Sequence, residues 1–270
     1  MAYVESHGVN IYYEVDGDGP AVVFSHGAGG NGAIWWNQVK HFAADYTCIT
    51  YDHRCFGRSY PASEELFGPE HFADDLIAVM DAVGVQKAAL VGQSLGGMSC
   101  LRAALAHPER VWAFVSSDSP LGIDHDEMLA DIRLFLGHVR DQGIEVAALG
   151  PEFKATDPAG AYLYAQIGSF NPFTDRGQGD HVDVVSGGKL FAPEFLLNPH
   201  ELADLTCPLL FVVGSADPIV TPKVTRDLVK RAPGSRYVEI GGAGHSPYFE
   251  KPAEYNQLVG QFLKTANQLR

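Results

Sequence analysis

The sequence predicts an α/β fold: a mostly parallel, doubly wound sheet with a helical lid inserted between two of its strands. Short apolar runs of β type alternate with helical patterns, as in a parallel sheet covered by helices on both faces. The alternation stops at about residue 120 and resumes at about residue 206, with a mainly helical stretch between. Because the sheet needs strands from both flanks, we predict one core, residues 1–120 and 206–270, and a lid, residues 121–205.

The elements before the lid follow from apolar runs that end at turn residues. Ala21–Ser25 is a continuous apolar run that ends at His26-Gly27, which is typical of a buried parallel strand. His71–Val83 has apolar residues at helical spacing, and Gly84 is its expected end. The other predicted elements are two β-rich runs within Val4–Val15, strand Tyr46–Tyr51, strand Ala88–Val91, helix Ser94–His107 and strand Val111–Val115.

The lid and the elements after it are read in the same way. Within the lid, apolar residues from Met128 to Val139 form one amphipathic helical stripe. After the lid, strands are predicted at Pro208–Val213 and Arg236–Ile240, and helices at Thr221–Arg231 and Pro252–Gln268.

Composition and charge exclude several classes of function. The chain has 270 residues with 19 Lys+Arg and 33 Asp+Glu, a net charge of −14, which opposes nucleic acid and anionic membrane as partners. Its first twenty residues contain no Lys or Arg and it has no long apolar run, so neither a signal peptide nor a membrane span is expected. Four cysteines without C-x-x-C spacing predict neither a disulfide framework nor a zinc site. We expect a cytoplasmic protein, and the sequence is compatible with a homo-oligomer.

The pattern Gly92-Gln93-Ser94-Leu95-Gly96 lies between a predicted strand and a predicted helix. A tight strand-to-helix turn crowds the backbone around its central residue, so small residues are required two positions away on each side. Such a turn lifts the Ser94 hydroxyl above the carboxyl edge of the sheet, at a helix N-terminus. A glycine-rich turn with an N-capping serine is the alternative. We predict Ser94 as a nucleophile.

A nucleophilic serine requires a base and a group that orients the base. Asp217 follows the strand Pro208–Val213, and His245 follows the strand that ends at Ile240, so both lie at the edge that carries Ser94. The order Ser94, Asp217, His245 is the order in which a nucleophile-elbow sheet carries its triad. Asp118, after the strand Val111–Val115, is the rival acid.

The loop His26-Gly27-Ala28-Gly29-Gly30 follows the first buried strand. Its glycines allow backbone N–H groups to point into a site. The N–H groups of Leu95 and Ala28, with Gly29 as the second choice in the loop, are therefore the predicted oxyanion hole. His26 is interpreted as a structural residue that hydrogen bonds to the loop backbone.

These segments resemble the α/β-hydrolase fold superfamily, in particular its lid-bearing serine esterases, lactonases and perhydrolases. The matching segments are His26-Gly27, Asp52–Ser59, Gly92–Gly97, Gly214–Asp217 and Gly244-His245. Two positions depart from the family pattern. Cys55 stands where relatives carry a glycine, and its side chain would either reshape the floor of the site or pack in the core. Ser246 follows the histidine, where relatives that cleave carbon–carbon bonds often carry a tryptophan.

The resemblance implies a cofactor-independent serine hydrolase that acts with water on a small apolar ester or lactone. A serine beside an oxyanion hole suits a carbonyl carbon, whereas epoxide and haloalkane chemistry in similar proteins needs a carboxylate nucleophile. Three alternatives stay open: carbon–carbon hydrolysis of ring-fission diketo acids, perhydrolysis of the haloperoxidase type, and a slow-turnover small-molecule receptor. No metal is expected.

The lid is rich in aromatic residues, which predicts an apolar pocket wherever they face the catalytic edge. Packing of the lid on the core is the alternative for about half of them. The predicted substrate contacts are Gly29, Trp35, Phe135, Tyr162 and Ser246. For Trp35, helix packing is an equal alternative.

Overall fold

The computed structural model describes residues 2–59, 68–142, 147–170 and 190–269, with the backbone alone over 136–142. These residues contain an eight-stranded sheet in the order β1-β2-β4-β3-β5-β6-β7-β8. Pairing is antiparallel between β1 and β2 and between β2 and β4, and parallel in the rest of the sheet. The strands are β1 Ala2–Ser6, β2 Val9–Asp16, β3 Ala21–Ser25, β4 Thr47–Tyr51, β5 Ala88–Gln93, β6 Val111–Ser117, β7 Leu209–Gly214 and β8 Arg236–Ile240.

Burial explains the two kinds of strand sequence. Every residue of β3, β5, β6 and β7 is buried, as the continuous apolar runs of central parallel strands require. The edge strand β1 alternates between partly buried and exposed residues over Ala2–Glu5.

Helices cover both faces of the sheet. They are α1 Trp36–Phe42, α2 Phe72–Val83, α3 Leu95–Ala106, α4 Asp126–Gln142, α5 Pro151–Thr156, α6 Pro158–Ser169, α7 Pro222–Val229, α8 Pro247–Glu250 and α9 Pro252–Asn267. Most buried apolar residues of α2, α3 and α7 belong to one cluster, and those of α1 and α9 belong to a second. The predicted doubly wound, mostly parallel α/β fold is thus confirmed.

The predicted elements of the core agree with the structure to within a few residues at their ends. Gly84 ends α2 in the left-handed region, with φ of 79°, as its position after the apolar stripe predicts. The sequence analysis missed α1 and the 3-10 turn Gly32–Trp35 before it. The Asn31 side chain caps this turn by accepting a hydrogen bond from the N–H of Ala33, at 3.1 Å.

The region between β6 and β7 is helical over α4, α5 and α6. Its two ends meet in a short parallel bridge between Ile123 and Leu197, where the N–H of Leu197 bonds to the carbonyl of Gly122 at 2.8 Å. The lid bounds, 121–205, stay a prediction, since residues 143–146 and 171–189 lie outside the described part of the chain. No helix among the described residues is long and apolar enough to cross a membrane.

Candidate active site

Ser94 occupies a strained turn between β5 and α3. Its φ of 51° and ψ of −116° lie outside the regions that L-residues prefer, at a cost of about 1–3 kcal/mol. Neighbouring backbone stabilises the turn: the Ser94 N–H bonds to the carbonyl of Ser117 at 3.0 Å, and the Ser94 carbonyl accepts the Ser119 hydroxyl at 2.6 Å. The serine is therefore held in place by the end of the neighbouring strand β6.

The flanking glycines are required by close packing at this turn. A Cβ on Gly96 would lie 2.0 Å from the carbonyl oxygen of Ser25, and a Cβ on Gly92 would lie 2.6 Å from the backbone of Gly96. Neither position can hold a side chain without moving backbone atoms. The spacing of the glycines in the sequence thus reflects contact of the turn with itself and with β3.

His245 and Asp217 meet at the carboxyl ends of β7 and β8. The Nδ1 atom of His245 lies 2.9 Å from Oδ2 of Asp217, and both side chains are buried. The other carboxylate oxygen of Asp217, Oδ1, accepts the N–H groups of Ile219 at 2.7 Å and Val220 at 3.1 Å. These bonds fix the carboxylate, which in turn fixes the tautomer of the imidazole with its proton on Nδ1.

Gln93 connects the serine turn to the histidine loop, a role that the sequence analysis missed. Its Nε2 donates to the carbonyl of His245 at 3.0 Å, and it directly precedes Ser94. The N–H of His245 donates to the carbonyl of Ala148, at 2.8 Å. No local signal marks Gln93, because the contact joins two positions 152 residues apart.

Glu250 is a second residue that the sequence analysis missed. This buried carboxylate of α8 accepts three backbone N–H groups, those of Gly150 at 2.9 Å, Gly244 at 3.0 Å and Ser246 at 3.2 Å. Burial raises the pKa of Glu250, although the three N–H donors act in the opposite direction. Glu250 thereby ties the loop on both sides of His245 to Gly150, in the region between β6 and β7.

Asp118, the rival acid, lies beside the pair without binding the imidazole. Its Oδ1 accepts the N–H of Gly214 at 2.8 Å, and its Oδ2 accepts the hydroxyl of Ser117 at 2.9 Å. Burial raises the pKa of Asp118 well above its usual range, and the charge of Asp217 raises it further. Among the described residues, the hydrogen-bonded partner of His245 Nδ1 is Asp217.

The loop after β3 lies against the serine turn. A Cβ on Gly27 would lie 2.0 Å from Oε1 of Gln93 and 3.0 Å from Cβ of Ser94. Leu95 is the first residue of α3, and Ala28 packs beside it in a small apolar cluster with Phe56. The structure thus brings the loop that holds Ala28 close to the turn that holds Ser94 and Leu95.

His26 is hydrogen bonded at both ring nitrogens to backbone groups. Nδ1 donates to the carbonyl of Gly27 at 2.8 Å, and Nε2 accepts the N–H of His53 at 2.9 Å. Burial lowers the pKa of His26, so the ring is neutral and serves as a brace for the loop. Its bonds match the structural role predicted for it.

The predicted substrate contacts occupy different environments. Phe135 lies near the histidine, with its ring centroid 6.3 Å from that of His245, and the φ of Gly29, 80°, shapes the loop beside Ser94. Trp35 is fully buried against Phe24 and Tyr248, which is the helix-packing alternative. The structure therefore places Trp35 in the core rather than on an open wall.

Tyr162 and Ser246 were both predicted from the sequence as contacts, and the structure separates them. The Ser246 hydroxyl is buried and lies 3.0 Å from the hydroxyl of Tyr164. Tyr162 is 67% exposed, two residues away on the same helix α6. The substrate contact of Tyr162 stays a prediction, whereas Tyr164, on another face of this helix, reaches the loop of His245.

Cys55, in place of the family's glycine, has φ of 75° and is fully buried. Its N–H bonds to the carbonyl of Ser59 at 2.8 Å, which closes the loop after β4. A non-glycine residue in this region of φ carries local strain. The structure places the thiol within the packed loop, which is the packing alternative.

Two groups of described residues could place three metal-ligand atoms within 4.8 Å of one another: Asp118 with Asp217 and His245, and the surface group His7, His71 and Asp74. In the first group the atoms are engaged in hydrogen bonds with each other or with backbone. In the second, His7 and Asp74 form an exposed ion pair at 3.0 Å and the two imidazole rings stack. The absence of a metal from the chemistry stays a prediction.

Comparison with known proteins agrees with this geometry. A family model described as alpha/beta hydrolase fold matches residues 20–150 and 148–252. A relative from Caulobacter vibrioides with the provisional name carbamate hydrolase RutD is 28% identical, over 95% of this chain and 96% of its own length. The pimeloyl-[acyl-carrier protein] methyl ester esterase of Aeromonas hydrophila is also 28% identical, over 94% of this chain and all of its own length.

Among solved structures, Est816, described as an N-acyl homoserine lactone degrading enzyme, superposes with a TM-score of 0.79. It is 29% identical and covers 96% of this chain and 99% of its own. The names of these relatives support a hydrolytic activity. The fold, the extent of the family match and the strained Ser94 turn agree, and the chain belongs to the α/β-hydrolase fold family.

Proposed function

We propose that this protein is a serine hydrolase that cleaves a carboxylic ester or lactone with an apolar acyl or aryl part. One observation carries the proposal: the strained turn of Ser94 is joined through Gln93 to His245, and His245 is hydrogen bonded to Asp217. The proposed nucleophile is thus adjacent to a side chain that binds the backbone of the proposed base, and the base is hydrogen bonded to its orienting acid.

The proposed reaction has two halves. The Ser94 Oγ attacks the carbonyl carbon while His245 takes the hydroxyl proton, and the imidazolium then gives this proton to the leaving alcohol oxygen as the acyl-enzyme forms. In the second half, His245 takes a proton from water, the hydroxide attacks the acyl-enzyme, and the proton returns to Ser94 as the acid leaves. Asp217 keeps the imidazole proton on Nδ1, so Nε2 is free to accept, and it stabilises the imidazolium.

The oxyanion of each tetrahedral intermediate would be bound by backbone N–H groups. The proposed donors are the N–H of Leu95, at the start of α3, and the N–H of Ala28 in the neighbouring loop. An unpaired N–H at a helix N-terminus is a favourable donor to a developing negative charge, because it points away from the helix and carries the positive end of its dipole.

The surroundings of His245 support an apolar substrate. Phe135 of α4 lies near the imidazole, and Tyr164 of α6 approaches the same loop and contacts Phe249 with a centroid distance of 5.1 Å. A methyl ester esterase and a lactone-degrading enzyme among the relatives, at 28% and 29% identity, support an ester or lactone carbonyl as the reacting group. Water is the proposed co-substrate, with no cofactor, nucleic acid or membrane required.

A serine-reactive fluorophosphonate tests the nucleophile directly. Intact mass and peptide mapping should find one phosphonyl group on Ser94 of the wild type and none on Ser94→Ala. Ser99→Ala is the matched control, because it removes a buried serine of the same helix and should leave labelling unchanged. Labelling of Ser94→Ala at the wild-type rate would contradict the proposal.

A turnover panel tests the substrate class. With p-nitrophenyl esters and lactones of increasing acyl length, Ser94→Ala should lower kcat by about 10⁴-fold or more. The panel includes ring-fission diketo acids and hydrogen peroxide as co-substrate, and a higher kcat/KM on either would replace the ester assignment. Labelling of Ser94 without turnover of any substrate would favour a receptor.

A further inference from the structure

Two buried carboxyl groups lie together behind the imidazole of His245. Asp118 follows β6, Asp217 follows β7, and the exposed fractions of the two residues are 1% and 4%. One carboxylate oxygen of each aspartate and one ring nitrogen of His245 all lie within 4.8 Å of one another. The serine-hydrolase chemistry uses only one of these carboxylates as its acid, which leaves Asp118 without a stated role.

The surroundings supply too little positive charge for two carboxylates. Among the described residues, no lysine or arginine forms an ion pair with either group, and the single cationic partner available is His245, on Asp217. His245 must be neutral when it acts as a base. Two negative charges this close, in a buried site, cannot both persist, and the usual outcome is that one proton is retained by the pair.

Hydrogen bonding indicates which group keeps the proton. Asp217 accepts two backbone N–H groups on Oδ1 and the imidazole on Oδ2, which stabilises its charged form. Asp118 accepts one N–H and one neutral hydroxyl. Burial and the charge of Asp217 both raise the pKa of Asp118.

Tyrosines from the neighbouring helices complete the surroundings. In the described part of the chain, Tyr248 of α8 and Tyr255 of α9 also interact electrostatically with Asp118, and burial raises the pKa of both. Both phenols therefore stay neutral and add no charge to the cluster.

We propose that Asp118 is a positioning residue that retains its proton at neutral pH and donates it to the carboxylate of Asp217. The donated hydrogen bond holds the Asp217 oxygen against His245 and leaves the site with one negative charge instead of two. The catalytic part of this role rests on the proposed serine-hydrolase function, whereas the retained proton does not.

Asparagine is the natural test of such a residue. Asp118→Asn replaces the O–H donor by a permanent N–H donor, keeps an acceptor for the N–H of Gly214, and tolerates the φ of 47° at this position. Asp118→Gly also tolerates this φ but removes the donor together with the acceptors for Gly214 and Ser117. Because neither variant strains the backbone, a difference between them reports the loss of the side-chain hydrogen bonds.

The retained proton is measured by urea unfolding between about pH 4.5 and pH 8. A raised pKa in the folded state means that the wild type binds a proton on folding, so this contribution is fully present below the ordinary Asp pKa of about 3.9 and is lost as pH rises toward the folded pKa. As pH rises, the wild type should lose stability relative to Asp118→Asn. The ratio of their unfolding equilibrium constants, wild type over variant, should therefore increase by up to about tenfold per pH unit.

Asp124→Asn, which neutralises an exposed aspartate, is the control for the loss of one charge. Infrared spectra at neutral pH should show a protonated-carboxyl C=O band in the wild type that Asp118→Asn lacks. An unfolding ratio that is constant with pH, or the absence of that band, would overturn the proposal even if the protein hydrolyses esters.

The positioning role is measured by kinetics. Asp118→Asn should keep kcat within about threefold of wild type, and Asp118→Gly should lower it by about tenfold or more, the loss expected for one hydrogen bond to a charged group. Equal losses in the two variants would refute the positioning role. If no substrate is turned over by the wild type, the proposed function fails, while unfolding and infrared still decide where the proton is.

Discussion

The carboxyl edge of the sheet and the helical region between β6 and β7 differ in how firmly the structure holds their side chains. At the sheet edge, Ser94, Asp217 and His245 are each held by backbone hydrogen bonds, and a Cβ on Gly92 or Gly96 would lie 2.0–2.6 Å from neighbouring backbone atoms. In the helical region, large apolar side chains are exposed: Leu134 at 68% and Phe170 at 78%.

Few described contacts join the two regions near the site. Asn31 donates to the carbonyl of Ile167 at 2.9 Å, the N–H of His245 donates to the carbonyl of Ala148 at 2.8 Å, the Tyr164 hydroxyl lies 3.0 Å from that of Ser246, and Glu250 accepts the N–H of Gly150. Under the proposed function, the sheet edge would carry out the reaction and the helical region would select the substrate. The effect of a substitution should therefore be largest in the core, smaller at these connecting contacts, called the junction below, and smallest in the helical region.

The largest effect on stability is expected in the core, at the buried ion pair of Arg54, in the loop after β4, and Asp75, on α2. Two bonds of 2.6 Å join the guanidinium to the carboxylate, and both side chains are fully buried. Asp75→Ala removes the carboxylate that faces this buried guanidinium and should lower the free energy of unfolding by about 3–5 kcal/mol. Urea unfolding at pH 7 measures the change.

Asp81→Ala is the matched control on the same helix α2. It removes the partner of Arg110 from an ion pair of 2.6 Å in which the aspartate side chain is 58% exposed, and the expected loss is below about 1 kcal/mol. Similar losses for the two variants would show that burial does not set how much an ion pair on this helix contributes to stability.

An intermediate effect is expected at the junction, where Glu250 accepts three N–H groups. Glu250→Ala leaves these buried donors without their acceptor at about 1–3 kcal/mol each, and it loosens the loop of His245. We expect kcat to fall by about 10- to 100-fold, with a smaller change in KM.

Glu254→Ala, at an exposed position of α9, is the control and should leave kcat unchanged. Steady-state kinetics on the best ester of the panel compares kcat of the two variants with that of wild type. If kcat of Glu250→Ala equals that of wild type, the junction does not position the histidine.

The smallest effect is expected in the helical region, at Tyr164. Tyr164→Phe removes the hydroxyl that lies 3.0 Å from Ser246 and keeps the ring, so the loss is that of one neutral hydrogen bond, about 0.5–1.5 kcal/mol. We expect a 2- to 10-fold decrease in kcat/KM that varies with acyl length. Tyr162→Phe, at an exposed position, should show no decrease on any substrate.

The sequence was informative wherever a signal is local. The Gly92–Gly96 pattern predicts the turn of Ser94 because the crowding comes from the turn's own backbone and from β3 beside it. Asp217 and His245 could be placed from strand ends alone, because parallel strands deliver their carboxyl ends to one edge. Their hydrogen bond in the structure is consistent with that placement.

Contacts between distant positions carried no such signal. Tyr164 and Ser246 are 82 residues apart, and the choice between Tyr164 and Tyr162 depends on how α6 is rotated against the loop. The same holds for Trp35, whose burial depends on the packing of Tyr248 against it.

The sequence by itself predicted the strands and most helices of the core, the fold family and the candidate nucleophile, because hydrophobic periodicity and turn chemistry are properties of neighbouring residues. Only the tertiary structure decided that Gln93 and Glu250 hold the histidine loop and that Asp118 lies against Asp217. A buried polar group is satisfied by whichever partner the fold brings within about 3 Å, and that partner's position in the chain is set by packing rather than by local sequence.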